Sequence, residues 1–271
     1  MEADRRFGER KWSILKHKFA VQLYTLREEL KTGIRPIFKT IKEMGWAGVQ
    51  ISGLPKDYDP NEIALGLKEN KLLAAGIHVS LNRLLNDFKA VLNEANLYGT
   101  KDIILPHVAA EFRNCEQYKE IKKLLNQLAK DEPEYRFSYH NHAFEFDIDI
   151  DGQDALSYIL DPLDDNRILA EIDVFWIKKA GIEPLEYIKR YEKRMPIIHL
   201  KDMTDDERQT FAEVGTGVID FLPIFQWGEV NGIEWYVVEQ DICEGPPLRC
   251  LETSLRNLTQ FAEKISGSTS R

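Results

Sequence analysis

Four short polar segments of this sequence carry residue types that bind divalent metal ions or transfer protons. They are Tyr139-His-Asn-His142, Asp173, His199 and Glu239, and they lie far apart along the chain. Imidazole nitrogens and carboxylate oxygens together suit a borderline or hard divalent ion such as Mn²⁺, Zn²⁺ or Co²⁺. A single histidine is more often a hydrogen-bonded structural residue, so a metal site requires that the four segments converge in space.

Short strands alternating with helices are predicted to position these residues. Eight β-branched or aromatic runs are predicted strands: Phe19–Leu23, Gly48–Ser52, Ile77–Leu81, Asp102–Pro106, Arg136–His140, Ile168–Asp173, Pro196–Leu200 and Trp235–Gln240. Helical periodicity between them predicts helices, for example over Glu62–Ala74, Asp87–Leu97, Tyr118–Lys130 and Pro184–Glu192. Crossovers of this length join parallel strands. Eight such units in about 250 residues are typical of an α/β fold with a single (β/α)8 TIM barrel.

A doubly wound open sheet is the alternative fold. No G-x-G-x-x-G motif follows the first predicted strand, where the sequence reads Gln22-Leu-Tyr-Thr-Leu-Arg27, so dinucleotide binding is disfavoured. No linker rich in Pro, Ser or Gly divides the chain. We therefore expect an N-terminal extension over residues 1–18, one barrel domain over 19–265 and a frayed tail over 266–271.

In a TIM barrel, the carboxyl ends of the strands form one rim, where the chemistry gathers. The last four predicted strands deliver one candidate ligand each to this rim: His140, Asp173, His199 and Glu239. Because these strands are neighbours in the barrel, we predict that the four side chains form a metal site. This convergence is the strongest functional signal in the sequence.

The fifth predicted strand offers more than one candidate ligand. Alternate residues share a strand face, so His140 and His142 both point into the barrel. We favour His140 as the ligand because it lies closer to the body of the strand, and we expect His142 to contact the substrate or transfer a proton. Glu145 is a third candidate if the strand extends further.

Other polar or aromatic residues near the predicted rim are candidates for substrate contact. Lys201 follows His199, and we predict that it stabilises an oxyanion or donates a proton, with a solvent-facing loop residue as the alternative. The remaining candidates for substrate contact are Gln22, Gln50, Trp176 and Glu213.

Composition limits the classes of function. The 271 residues are 43% hydrophobic, which is enough for a packed core. The net charge is −9, from 36 basic and 45 acidic residues, and this disfavours nucleic acid as a partner. Three cysteines without a C-x-x-C pair indicate no disulfide framework and a reducing, cytoplasmic setting. No long apolar run and no secretory signal is visible, so no membrane partner is expected.

Several segments together resemble the sugar phosphate isomerase/epimerase family of the xylose isomerase-like TIM barrels. The likeness runs from about Phe19 to Leu258. The matching segments are Val21-Gln-Leu-Tyr-Thr-Leu-Arg27, Tyr139-His-Asn-His142, Ile172-Asp-Val-Phe-Trp176, His199-Leu-Lys-Asp-Met203, Glu213-Val-Gly-Thr-Gly-Val-Ile-Asp220 and Trp235-Tyr-Val-Val-Glu-Gln-Asp241.

The resemblance implies a divalent metal ion (Mn, Zn, Co or Mg) held by Glu, Asp, His and Glu from the last four strands. Asp173, His199 and Glu239 match three of these positions, and His140 stands where ketose epimerases commonly carry Glu. The implied activity is isomerisation or epimerisation of a sugar by α-proton abstraction through an enediolate, with Glu239 as the base. Lys201 or a histidine returns the proton. Because one carboxylate is replaced, inosose dehydratases and keto-glycoside lyases are alternatives.

Other departures from the family pattern keep further alternatives open. Gln50 stands where many relatives carry Glu, and Trp176 where some epimerases carry a substrate-binding His. A catalytically inactive sugar-binding barrel is therefore the alternative of another class. DNA repair enzymes related to endonuclease IV need more rim histidines, and the third predicted strand ends at Ser80-Leu-Asn82 without one. We expect a small-molecule carbohydrate as the partner, and a homo-oligomer is an open alternative.

Overall fold

The structure is a computed structural model that describes residues 15–163 and 165–268. Residues 1–14 of the predicted N-terminal extension over 1–18 and residues 269–271 of the predicted tail over 266–271 lie outside these residues. Within the described part of the chain, no helix combines the length and hydrophobicity needed to cross a lipid bilayer.

Eight parallel strands close into a barrel. They are β1 (Phe19–Gln22), β2 (Gly48–Ile51), β3 (Leu73–His78), β4 (Asp102–Leu105), β5 (Arg136–His140), β6 (Leu169–Asp173), β7 (Ile197–Leu200) and β8 (Trp235–Val238). Each strand pairs with its neighbours in sequence, and β1 pairs with β8 to complete the cylinder. The prediction of a single (β/α)8 TIM barrel is confirmed.

Helices cover the outside of the barrel. They are α1 (Ile34–Met44), α2 (Pro60–Asn70), α3 (Leu81–Asn86), α4 (Phe88–Tyr98), α5 (Cys115–Asp131), α6 (Ala155–Leu160), α7 (Val174–Lys179), α8 (Pro184–Ile188), α9 (Phe221–Asn231) and α10 (Pro247–Ser268). Local capping sets their ends. The carboxylate of Asp59 accepts a hydrogen bond from the Asn61 N–H at the start of α2, and α1 ends at Gly45 in the left-handed conformation.

The third strand lies earlier in the chain than the sequence predicts. The helix predicted over Glu62–Ala74 ends sooner, because Lys71 adopts a left-handed φ of 52° that terminates α2. The strand predicted over Ile77–Leu81 therefore ends at His78, and the Ser80 hydroxyl caps α3 instead. The expectation that this strand delivers no histidine to the rim is wrong. The other predicted strands differ from the observed ones by at most two residues at an end.

The barrel interior is divided into an apolar layer and a polar layer. The apolar layer is a separate cluster formed by Ala20, Ala75, Ile104, Ile197 and Val237. Two residues further along their strands come Gln22, His199 and Glu239, which share the inward face because side chains alternate. The apolar cluster therefore lies below the polar residues, which are at the carboxyl ends of the strands.

Candidate metal centre

The structure brings together the four side chains that the sequence predicts as metal ligands. His140, Asp173, His199 and Glu239 are buried, and one ligand atom from each lies within 4.8 Å of the others. His140 Nε2 is 4.0 Å from Asp173 Oδ2. His199 Nδ1 is 3.2 Å from Glu239 Oε2. The arrangement offers two nitrogen and two carboxylate ligands around a common point.

The carboxylate of Asp173 has one oxygen committed to the protein and one left for a cation. Its Oδ1 accepts a hydrogen bond from the Phe175 N–H at 2.9 Å and thereby caps α7. Its Oδ2 is buried and accepts no well-aligned hydrogen bond, but it lies 3.0 Å from the Lys201 ammonium group. Burial raises the pKa of Asp173 to about 6. A buried carboxylate oxygen is costly unless a cation neutralises it. Lys201 or a metal ion can supply that charge here, so this atom fits a metal ligand.

The ammonium group of Lys201 lies against the carboxylates of this cluster. Its Nζ is 3.0 Å from Asp173 Oδ2, 3.0 Å from Glu239 Oε2 and 2.6 Å from Asp241 Oδ2. Burial lowers the pKa of Lys201, but attraction to these carboxylates outweighs burial and raises it above its usual range. Lys201 is 1% exposed, so it is a buried cation of the site rather than a solvent-facing loop residue.

The buried carboxylates of the cluster carry more negative charge than the Lys201 ammonium group alone can neutralise. Its three carboxylate partners are joined by a fourth, Glu171, whose Oε1 is 3.1 Å from His199 Nε2. Burial disfavours a charged His199, yet Glu171 and Glu239 raise the pKa of His199 to about 10. Either a protonated His199 or a bound divalent ion can supply the missing positive charge. The residues present therefore fit a divalent metal ion.

Glu171 and His78 are polar residues of the barrel interior that the sequence analysis missed. With His140 and His199 they form a second buried group whose ligand atoms also lie within 4.8 Å of one another. Glu171 stands two residues before Asp173, so strand alternation places both on the inner face. The alternation of Glu171 with Asp173 can be read from the sequence. His78 was missed because the third strand was predicted too late in the chain.

Gln22 and Gln50, predicted to contact the substrate, lie within this polar interior. Gln22 Nε2 donates to Gln50 Oε1 at 2.6 Å, and Gln50 Nε2 donates to Glu171 Oε2 at 2.5 Å. Both side chains are fully buried. The structure thus places them beside the histidines, and their predicted contact with substrate stays a prediction.

The two other candidates on the fifth strand have different surroundings. Glu145 accepts hydrogen bonds from the Tyr139 hydroxyl at 2.7 Å and from the His142 N–H at 2.8 Å, and it belongs to neither of the two groups that could hold a metal ion. His142 stacks on Phe144, and its Nδ1 is buried without a hydrogen-bond partner. Burial lowers the pKa of His142 to about 2, so its imidazole is neutral.

A pocket of about 280 Å³ opens directly above the cluster. Its lining residues are Tyr24, Ser52, His78, Pro106, His107, His140, His142, Glu239 and Asp241. The volume is at the lower end of the range for small-molecule sites. Among the described residues that line it, none is Lys or Arg.

Trp176 and Glu213, also predicted to contact the substrate, lie outside this lining. The Trp176 ring is 5.2 Å from the His142 ring and 5.5 Å from Lys201 Nζ. Glu213 opens a loop that is anchored where Gly217 N–H donates to Asp202 Oδ2 at 2.9 Å. Trp176 is therefore adjacent to the cluster, and substrate contact by either residue stays a prediction.

Comparisons with known proteins identify the fold. No protein-family model matches the sequence. An inosose dehydratase from Clostridium perfringens is 26% identical over 156 residues, which are 50% of this chain and 52% of that protein. The chain thus spans about half the length of the curated relatives it matches.

Solved structures match over most of the chain. A sugar phosphate isomerase/epimerase from Parabacteroides distasonis superimposes with a TM-score of 0.73 at 19% identity, covering 89% of this chain and 93% of that one. A probable 3-DHS dehydratase from Bacillus anthracis gives a TM-score of 0.66 at 14% identity, covering 89% and 98%. The chain therefore has the fold of the sugar phosphate isomerase/epimerases and other xylose isomerase-like TIM barrels.

Proposed function

We propose that the chain is a divalent-metal-dependent enzyme that removes the proton next to the carbonyl of a sugar or keto-polyol. The product of this step is an enediolate, and isomerisation or epimerisation follows when the proton returns to a different position or face. The observation that carries the proposal is the convergence of His140, Asp173, His199 and Glu239 beneath the pocket.

These four residues are the proposed metal ligands. A divalent ion, when bound, supplies Lewis-acid polarisation of a carbonyl and stabilises negative charge on its oxygen. The protein contributes the apolar layer below the ligands. This layer excludes water and thereby strengthens electrostatic interactions inside the site.

Glu239 is the proposed base. It is 7% exposed and lines the pocket, so it can reach a bound substrate. Burial raises its pKa, but Lys201 and His199 outweigh burial and hold the pKa well below its usual range. Glu239 is therefore ionised and able to accept a proton, and the two neighbouring cations make it a weaker base than a free carboxylate.

Lys201 and His142 are the proposed groups that return or supply a proton. The Lys201 ammonium lies 3.0 Å from Glu239 Oε2, so a proton donor stands beside the base. The imidazole of His142 lines the same pocket and is neutral, so it would return a proton after first accepting one at its free buried Nδ1. His142 thus faces the space where the substrate would bind, whereas Lys201 lies outside the pocket lining and contacts it through Glu239.

Dehydration is the second candidate reaction, and it begins with the same proton abstraction. It is supported by the relatives named inosose dehydratase and by a structural neighbour named a probable 3-DHS dehydratase. It is also supported by the replacement of one ligand carboxylate by His140, which leaves Glu239 as the carboxylate base with an ammonium group beside it. Such a pair suits removal of a proton and assisted departure of a β-hydroxyl group.

The pocket favours a substrate without a phosphate group. Phosphate recognition commonly uses Arg or Lys, and the described residues that line the pocket include neither. We therefore propose an unphosphorylated keto-sugar or keto-polyol of monosaccharide size.

The test is a screen of unphosphorylated keto and aldo sugars with Mn²⁺ in D₂O, followed by NMR and mass spectrometry. Exchange of the α-proton is expected for the true substrate. A product of unchanged mass indicates isomerisation or epimerisation, and loss of water indicates dehydration. Glu239→Gln should abolish exchange without unfolding the protein. Glu94→Gln, which alters a carboxylate on α4 paired with Arg83, is the matched control. Sugar binding without exchange would favour the inactive barrel, and absence of metal binding would overturn the proposal.

A further inference from the structure

We infer that Glu171 is a positioning residue that fixes the orientation and tautomer of both histidine ligands with a single carboxylate. The inference rests on the proposed metal site, to which it adds a residue outside the ligand set. Glu171 is fully buried at the centre of the polar layer. Its Oε1 faces ring nitrogens of three histidines, and its Oε2 accepts from Gln50.

Each ligand histidine turns one nitrogen toward Glu171 and the other toward the metal ligands. His140 Nδ1 is 3.2 Å from Glu171 Oε1, whereas its Nε2 faces Asp173. His199 Nε2 is 3.1 Å from the same Glu171 oxygen, whereas its Nδ1 faces Glu239. Glu171 therefore contacts the two imidazoles at the nitrogens that a metal ion between the four ligands does not use.

The tautomer of His199 follows from the acceptors around its Nε2. This nitrogen lies 2.7 Å from Gln50 Oε1 and 3.1 Å from Glu171 Oε1. Both atoms only accept hydrogen bonds, so Nε2 must carry the hydrogen. In the neutral imidazole, Nδ1 then keeps its lone pair, and this nitrogen is directed at the metal ligands.

The same reasoning fixes the rings of His140 and His78. His140 Nδ1 must donate to the Glu171 carboxylate, which leaves the Nε2 lone pair for a metal ion. His78 Nε2 donates to Glu171 at 2.7 Å, and its Nδ1 accepts from Gln22 Nε2 at 3.1 Å. Donors and acceptors are thus matched around the network, because Gln22 also donates to Gln50.

A carboxylate is the group that satisfies this network. Gln50 donates to Glu171 Oε2 through Nε2, and its Oε1 is already used by Gln22 and His199. If Glu171 is replaced by Gln, one end of its amide becomes a donor. That donor must face either the Gln50 NH₂ group or the histidine N–H groups, and a donor facing a donor is unfavourable.

A second metal ion between His78, Glu171 and the two ligand histidines is the competing interpretation. Filling both groups at once would require His140 and His199 each to bind a metal through both ring nitrogens. Each would then have to lose both ring protons, whereas the network supplies acceptors for those protons. One metal ion per chain is therefore expected.

The first test measures divalent metal affinity and stoichiometry by calorimetric titration of the metal-stripped protein with Zn²⁺. Wild type should bind one ion, and Glu171→Gln should bind it about 10- to 100-fold more weakly, as is usual when the carboxylate partner of a ligand histidine is lost. Glu145→Gln, another buried glutamate outside both groups, should keep wild-type affinity.

The outcomes separate this inference from the proposed function. Unchanged affinity in Glu171→Gln, or two ions per wild-type chain, overturns the positioning role while leaving a metal enzyme in place. No binding by wild type overturns the proposed metal site and the inference with it.

A second measurement needs no variant and covers the case in which Glu171→Gln does not fold. In protein labelled with ¹⁵N-histidine and loaded with Zn²⁺, long-range ¹H–¹⁵N correlation reports which ring nitrogen carries hydrogen. His140 should be protonated at Nδ1 and His199 at Nε2. The opposite tautomer for either residue contradicts the inference, whatever the affinity of the variant.

Discussion

Replacement of Lys201 by Met tests the electrostatic organisation of the cluster. Lys201 is 1% exposed, and Met fills a similar volume without the charge. In the metal-free protein the change leaves Asp173 and Glu239 buried without the ammonium group that lies 3.0 Å from each. We therefore expect Lys201→Met to be strongly destabilised without metal and to recover when a divalent ion is added.

The magnitude follows from the loss of one partner in a buried ion pair, which costs about 3–5 kcal/mol. The cost does not scale with the number of carboxylates, because His199 also contacts Glu239 and Asp241 is only partly buried. For a domain of this size, 1 kcal/mol lowers the melting temperature by about 2–4 °C. The melting temperature of the metal-free variant should thus fall by about 6–20 °C.

The assay is thermal and urea denaturation of chelator-treated protein, with and without added Mn²⁺. The stabilisation by metal should be larger in Lys201→Met than in wild type, because the variant lacks the cation that competes for the same oxygens. Lys189→Met is the control, since Lys189 pairs with the exposed Glu186 and its loss should change stability by at most about 0.5 kcal/mol. A loss below about 1 kcal/mol in metal-free Lys201→Met would show that the ammonium group does not offset the buried charge of these carboxylates.

Three further predictions concern other parts of the barrel. Burial raises the pKa of Glu145 to about 7, so the folded state holds a proton that the unfolded state releases near pH 4.5. Folding stability should then fall by about 3 kcal/mol as pH rises from 5 to 8. In urea denaturation at a series of pH values, the free energy of unfolding of Glu145→Gln should lack this fall. If the difference in unfolding free energy between the variant and wild type does not change with pH, the prediction is wrong. Gly217→Ala should cost about 1–3 kcal/mol because a Cβ there collides with the Met203 carbonyl, whereas Gly245→Ala, which meets no atom, should be near neutral in the same assay. His142→Asn should retain Zn²⁺ affinity while turnover falls by about 10²- to 10⁴-fold, and unchanged turnover would exclude His142 as a proton donor.

The sequence was sufficient to predict the barrel and the convergence at its rim. Eight short runs separated by helical segments favour a closed parallel barrel over an open sheet, and His140, Asp173, His199 and Glu239 each stand at or just beyond the end of a strand. Position at a strand end is a local property, so it can be read without knowing the packing. The identity of the metal ion and of the substrate has no such local signature.

The remaining parts of the site depend on details that a strand pattern does not contain. His78 was missed because Lys71 ends α2 in a left-handed conformation, and a residue other than Gly or Asn gives little warning of this. Glu171 was missed although it alternates with Asp173, because its run reads as an apolar strand. The carboxylate partners of Lys201 come from β6 and the end of β8, and only the closed barrel brings them together.

The most direct test of the metal site is a crystal of the protein loaded with Zn²⁺, with anomalous diffraction recorded at the zinc edge. We expect one strong peak per chain, within about 2.0–2.2 Å of His140 Nε2, His199 Nδ1 and oxygens of Asp173 and Glu239. A peak between His78 and Glu171 instead, or no peak in the barrel, would rule out the four-ligand metal site.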